Sequence, residues 1–170
     1  MCTVVIGVSR KMELMIKVLL VGIFSTVIID IWATISNRLL KLPKTNWTMV
    51  GRWLGHIPKG KFTHNPVSSS PKIKHEHIIG WIFHYFIGVI YAAIYVAIVV
   101  WGLSNDSSLL TAWFFGLFTL LSPWLILQPA LGLGFFAVNS PNANKVRLQN
   151  IALHSIFGIA LYYGWLTINL

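Results

Sequence analysis

Four apolar runs constrain this chain more than any other feature. They lie at about residues 16–40, 78–103, 109–137 and 149–169. Each is long enough to cross about 30 Å of hydrocarbon as a helix, which satisfies its own backbone hydrogen bonds where no water is present. A soluble fold does not suit the same residues. The chain is 56% hydrophobic and 10% charged over 170 residues, whereas soluble domains carry about 25% charged residues. So few charges cannot cover the outside of a domain of this size, and disorder requires low hydrophobicity. The expected fold is all-α: a polytopic membrane protein with four transmembrane helices plus a short cytoplasmic interfacial helix, in one membrane domain spanning residues 1–170.

The first run is not punctuated like a signal peptide. Its core, Val18 to Ile29, is interrupted by Asp30 and continues through Ile31, Trp32 and Ile35, with no small-x-small cleavage site at its end. A retained helix is expected. Met12 offers an alternative start, with Met1 to Lys11 reading as a leader. The lone Cys2 excludes an intrachain disulfide.

Charge sets the orientation. Thirteen Lys and Arg face four Asp and Glu, a net charge of +9. The loop at about residues 41–77 and its approaches carry Arg38, Lys41, Lys44, Arg52, Lys59, Lys61, Lys72 and Lys74, and the last loop carries Lys145 and Arg147. Four spans put both loops on one side. The positive-inside rule makes that side cytoplasmic and leaves both termini outside the cytoplasm. The basic excess is therefore read as attraction to anionic lipid headgroups, not to nucleic acid.

The long loop begins with helical periodicity at Trp47, Val50, Trp53, Leu54 and Ile57. Thr45 or Asn46 is suited to cap the start and Gly55 the end. This reads as a helix in the headgroup layer, anchored by Trp47 and Trp53. Residues 59–74 read as exposed coil. In the third span, Pro123 and Pro129 each remove a backbone donor, and a kink or break is expected near Gln128 and Pro129. There is also an internal echo. Gly22-Ile23-Phe24-Ser25 resembles Gly116-Leu117-Phe118-Thr119, and His84 to Gly88 resembles His154 to Gly158. Duplicated helical hairpins would give this echo, and so would chance glycines.

Asp30 is the strongest candidate for chemistry. It lies about ten residues, some 15 Å at helical rise, from the loop-side end of its helix. A carboxylate there costs about 2.5–3.5 kcal/mol on insertion scales, so it must pair, protonate or face water. It reads either as a proton or cation carrier or as a helix-to-helix hydrogen bond. His84 and His154 lie at similar depth on two other spans. Glu76, Gly80, His84, Gly88 and Ala92 form one small, polar stripe, and Arg147, Asn150, His154 and Gly158 another. The two stripes are expected to meet, with Asp30 deeper between them. Together with Arg52, His64 and Gln128 they would form a polar pocket open to the cytoplasm.

Other chemistries find less support. No catalytic residues are assigned. His64, His75, Glu76 and His77 are ligand types near one span, but no His-x-x-x-His or Glu-x-x-His pair lies on a helix, so no metal site is assigned. Haem, or a metal, held through His84 and His154 is the cofactor arrangement the pair allows, since opposed histidines in a four-helix membrane bundle ligate haem in b-type cytochromes. No nucleophile elbow, phosphate loop or dinucleotide fingerprint occurs.

Several pieces together resemble a known family. They are Asp30-Ile31-Trp32, Val50-Gly51-Arg52-Trp53-Leu54-Gly55-His56 and Gly60-Lys61-Phe62-Thr63-His64. They continue with Glu76, Gly80-Trp81, His84-Tyr85, Gln128-Pro129, Arg147-Leu148, His154, Phe157-Gly158 and Leu161-Tyr162. In this order they resemble the bacterial four-span membrane proteins catalogued as domain of unknown function 2938, from Met12 to the C-terminus. Departures are the asparagine-rich Asn139 to Asn144 segment and Ala130, where a glycine is expected. The first ten residues have no counterpart, which favours Met12 as the start. The resemblance implies a multi-pass protein of the bacterial inner membrane and assigns no activity. Three function classes follow. The first is a small transporter or permease component for an unidentified solute, working as a homodimer because four spans are few. The second is an accessory or assembly protein with purely structural polar contacts. The third is a haem- or metal-binding membrane enzyme.

Overall fold

A computed structural model describes residues 2–103 and 106–169, with side chains from residue 11 onward. Met1, Leu170 and the side chains of residues 2–10, Cys2 and most of the expected leader among them, fall outside this description. Among the described residues there are six α-helices and no strand. Helix α1 is Cys2–Leu40, α2 Trp47–His56, α3 Glu76–Ala97, α4 Leu109–Phe118, α5 Gln128–Leu131 and α6 Ala143–Asn169. Four segments are long and apolar enough to cross a membrane: Lys11–Leu40, Glu76–Gly102, Leu109–Leu131 and Ala143–Asn169. The chain is a multi-pass, all-helical membrane protein by length and composition of these segments.

The third span, α4–α5, bends earlier than Gln128 and Pro129. α4 ends at Phe118, the helix is interrupted by a turn at residues 119–120 and resumes at 121–122, and Pro123–Leu127 forms a π-helical turn before α5. Pro123 is the cause. A proline ring clashes with the carbonyl four residues back, here that of Thr119. The wide turn bonds Gln128 N–H to Pro123 O, and α5 then runs through Pro129 as one of its first residues, where no donor is needed. Gly132 (φ 88°) ends this span in the left-handed conformation, short of residue 137.

Two close approaches organise the bundle. A Cβ at Gly22 would lie 2.7 Å from Val89 Cα, and one at Gly88 would run into Thr26 Oγ1, so α1 and α3 meet backbone to backbone. A Cβ at Gly116 would lie 2.8 Å from Gly158 Cα and collide with His154 O, so the third span and α6 meet in the same way. The glycines of the sequence echo are thus the contact points of two helix pairs. α1 then packs on α6, where Gln149 Nε2 donates to Ser36 Oγ at 2.9 Å, while α3 and α6 scarcely touch. The two polar stripes therefore do not meet each other. Each has its glycines turned to a different neighbour, and a gap remains between α3 and α6.

Apolar packing closes the terminal half of the bundle through Val21, Tyr95, Val96, Val99, Leu161 and Trp165. The loop half is closed by residues 41–75; the stretch 59–74 is largely exposed, as expected, but is docked on the bundle through its two buried residues, His64 and Val67. Asn46 caps α2 by accepting from Met49 N–H at 3.3 Å. The helix runs past Gly55, where Ile73 leaves no room for a side chain, into a 3-10 turn ended by Gly60 (φ 74°). Bare backbone at Gly51 and Gly80 lets α2 lie directly on α3. Val67 then packs with Val50 and Leu131, and His64 N–H donates to Ala130 O at 2.9 Å.

Candidate functional site: a polar cavity within the span bundle

The gap between α3 and α6 is a cavity of about 320 Å³. All four spans and α2 line it. α1 supplies Thr26, Asp30 and Thr34; α3 supplies Trp81, His84 and Tyr91; the bent third span supplies Ser122 and Pro123; α6 supplies Asn150, His154 and Phe157; and α2 closes it with Trp47 and Trp53. Lys44 and Thr45 stand at its loop-side end. Cavities of this size and mostly apolar lining, with a few converging polar groups, are the usual form of a small-molecule site.

Asp30 is its one acid. Oδ1 accepts from His84 Nε2 at 3.0 Å and Oδ2 from the Tyr85 hydroxyl at 3.0 Å. The Asp30 side chain remains 24% exposed, against 9% for His84. The His84 ring is stacked under Trp47, with centroids 4.0 Å apart, and met edge-on by Trp81 at 5.7 Å. His84 is therefore fixed on three sides, and its Nε2 is spoken for. Across the gap, His154 Nδ1 lies 2.6 Å from Thr119 Oγ1, whose own proton goes to Gly116 O at 2.6 Å. The two histidines of the echo thus have parallel settings, each bonded to the helix its glycine touches.

Asn150 sits beside His154. In the amide orientation that satisfies its neighbours, its oxygen accepts from Gln128 Nε2 at 2.6 Å and Trp124 Nε1 at 3.2 Å, and its nitrogen donates to Val146 O at 3.2 Å. Gln128 is buried behind this group and is not part of the cavity wall.

The remaining predicted pocket residues lie elsewhere. Arg52 and Glu76 form a two-pronged ion pair beneath the docked loop. Nη2 meets Oε1 at 2.7 Å and Nε meets Oε2 at 2.8 Å, and Nη1 ties down the Ser68 and Ser70 carbonyls at 3.0 and 3.3 Å. The hydrogen bond to Glu76 raises the Arg52 guanidinium above its ordinary range, against the burial that lowers it. This pair holds the loop rather than a ligand. His64 is buried in the same loop, with Nδ1 on Ser70 Oγ at 2.6 Å. Burial pushes its imidazole below the ordinary histidine range, with Lys61 and His56 adding to the effect. Arg147 is drawn to the surface turn by Phe136 O at 2.8 Å and Asn144 Oδ1 at 3.0 Å. Trp47 and Trp53 turn inward as cavity walls, because the glycine contact at Gly51 presses α2 onto α3. Among the described residues, no three His, Cys, Asp or Glu side chains are grouped so that they could hold a metal ion.

Tyr85 and Thr119 appeared in the sequence only within a family motif and the internal echo, not as candidate site residues. Tyr85 could have been found from charge alone: a carboxylate in a span needs more than one donor, and the residue next to His84 on the helix is the nearest candidate. Thr119 carries no such signal, because its role depends on a contact 35 residues away in sequence.

These features define a class: a multi-pass helical membrane protein whose spans surround an acid- and histidine-bearing cavity. The chain belongs to the family described as "Protein of unknown function (DUF2938)", which it matches over residues 19–167. No curated protein and no solved structure matches it.

Proposed function

We propose that the protein is a small permease, or one subunit of a dimeric one, in the bacterial inner membrane. A small solute binds in the cavity, and Asp30 carries the proton or cation linked to its movement. The observation that carries this reading is the cavity itself, with an intramembrane carboxylate on its wall and every span contributing to it. A charged group at that depth is expensive to keep and serves a pathway by default. The basic loops face the cytoplasm, meet anionic headgroups and place both termini on the opposite side, so solute enters from the loop side past Lys44 and Thr45.

A second reading has one observation in its favour. Both Asp30 oxygens are bonded to α3, which is also what a purely structural clamp in an assembly protein would look like. The haem reading has less support, because His84 Nε2, the atom an iron would need, is bonded to Asp30.

Proteoliposomes containing a pH-sensitive dye test the first reading. We expect the protein to raise proton entry under an imposed potential, and Asp30→Asn to return it to the rate of empty liposomes while the variant still inserts. Wild-type proton entry in Asp30→Asn, together with a lowered unfolding temperature, removes the carrier role and leaves the clamp.

A further inference from the structure

The cavity's chemistry also specifies what it binds. Asp30 accepts one hydrogen bond on each oxygen, and an ionised carboxylate has about four acceptor sites, so accepting capacity remains on a partly exposed group. His154 adds to it. The Thr119 hydroxyl has a single proton, directed to Gly116 O, so Thr119 Oγ1 accepts from His154 Nδ1–H. In the neutral ring the other nitrogen, Nε2, then carries a lone pair. Among the described residues no partner takes it. Both sides of the gap therefore offer acceptors, and one offers negative charge.

The rest of the wall is aromatic. Trp47, Trp81, Tyr91 and Phe157 line the cavity, and aromatic faces attract cations more strongly when water is excluded. Its volume, about 320 Å³, is at the small end of ligand cavities and suits one ring with a short arm. The opposing charge is Lys44, whose Nζ is held by Thr34 Oγ1 at 3.1 Å at the loop-side end.

From this geometry we infer that the cavity takes a protonated primary amine on a compact apolar body, its N–H groups donating to Asp30 and to His154 Nε2. The inference rests on the cavity being a ligand site, as the permease reading holds, but it concerns binding and not transport.

The test is a titration of intrinsic tryptophan fluorescence in nanodiscs of phosphatidylcholine, with empty discs as the blank. Three probes share a phenylethyl body: 2-phenylethylamine, its N,N,N-trimethyl derivative and 3-phenylpropionate. We expect saturable binding of the amine, weaker binding of the trimethylated cation, which lacks N–H donors, and none of the carboxylate. Asp30→Asn should weaken the amine by at least about tenfold, the scale of one charge-assisted hydrogen bond. His154→Phe, which keeps a ring but removes the lone pair, should weaken the primary amine and leave the trimethylated cation unchanged. Preferential binding of the carboxylate overturns the inference in favour of Lys44. Absence of amine binding, or wild-type amine affinity in both variants, also overturns it. Amine binding without proton entry in liposomes would sustain this inference and remove the permease reading; proton entry without amine binding would do the reverse.

Discussion

Asp30 and His84 share one setting, bonded to each other on the cavity wall, and His64 occupies another, in the docked loop. Asp30 and His84 were legible in the sequence because each interrupts an apolar run, and the bilayer makes such residues costly unless they are partnered. Their bond to each other was not legible, since it joins positions 54 residues apart. His64 looked like part of the same pocket and is instead a buried element of the docked loop. This gives a pH expectation. The docked His64 binds its proton at lower pH than an undocked one, whose pKa is about 6.5. Between the two values the undocked loop holds more protons, so docking stability rises with pH there. It should be fully present above the ordinary histidine range and fall as the solution is acidified through it. Hydrogen exchange of amides 61–70, corrected for intrinsic rates, should show lost protection at pH 5 relative to pH 7. His64→Gln should flatten that dependence; an unchanged slope in the variant would assign it to other groups.

At the scale of elements, the spans were readable from hydropathy alone, and their ends were misread only where local chemistry changed. Pro123 bent the third span six residues before Pro129, because the ring disturbs the turn that precedes it and a wide turn then absorbed the second proline. Which helix each stripe would face was not readable. A small-residue face promises a close neighbour, but nothing in the spacing says which one. The structure assigns α1 to the Gly88 stripe and the third span to the Gly158 stripe. The third-span contact is the less forgiving, since a methyl at Gly116 meets the His154 carbonyl and no side chain that could swing aside. Gly116→Ala should therefore destabilise the detergent-solubilised protein by about 1–3 kcal/mol, the usual cost of overpacking. Gly102→Ala, where the nearest atom to the new methyl is 3.9 Å away, serves as the control and should be neutral or slightly stabilising. Equal unfolding midpoints for the two variants would mean that the helices separate without cost.

On the scale of the whole molecule, four spans place residues 41–75 and 132–142 on one side and both chain ends on the other. Reporter fusions after residue 65 and at the C-terminus should thus report opposite sides, with the cytoplasmic signal at residue 65. Signals from the same side would remove the four-span arrangement, and reversed signals would remove only the orientation. The folded state of the loop was not legible, because Val67 and His64 find their partners on α2 and α5, across long stretches of chain. That docking has a mechanical consequence. Trp47 and Trp53 ride on a helix laid backbone to backbone on α3, and the loop that follows is fastened to the bent third span through Ala130. A shift of α2 would therefore carry both tryptophans and the fastened loop together. A flex at the proline bend would in turn reach the tryptophan wall through Ala130 and the loop, as a collective backbone movement on the microsecond-to-millisecond scale of hinge motions. The proline bend and the tryptophan wall are two ends of one mechanical connection.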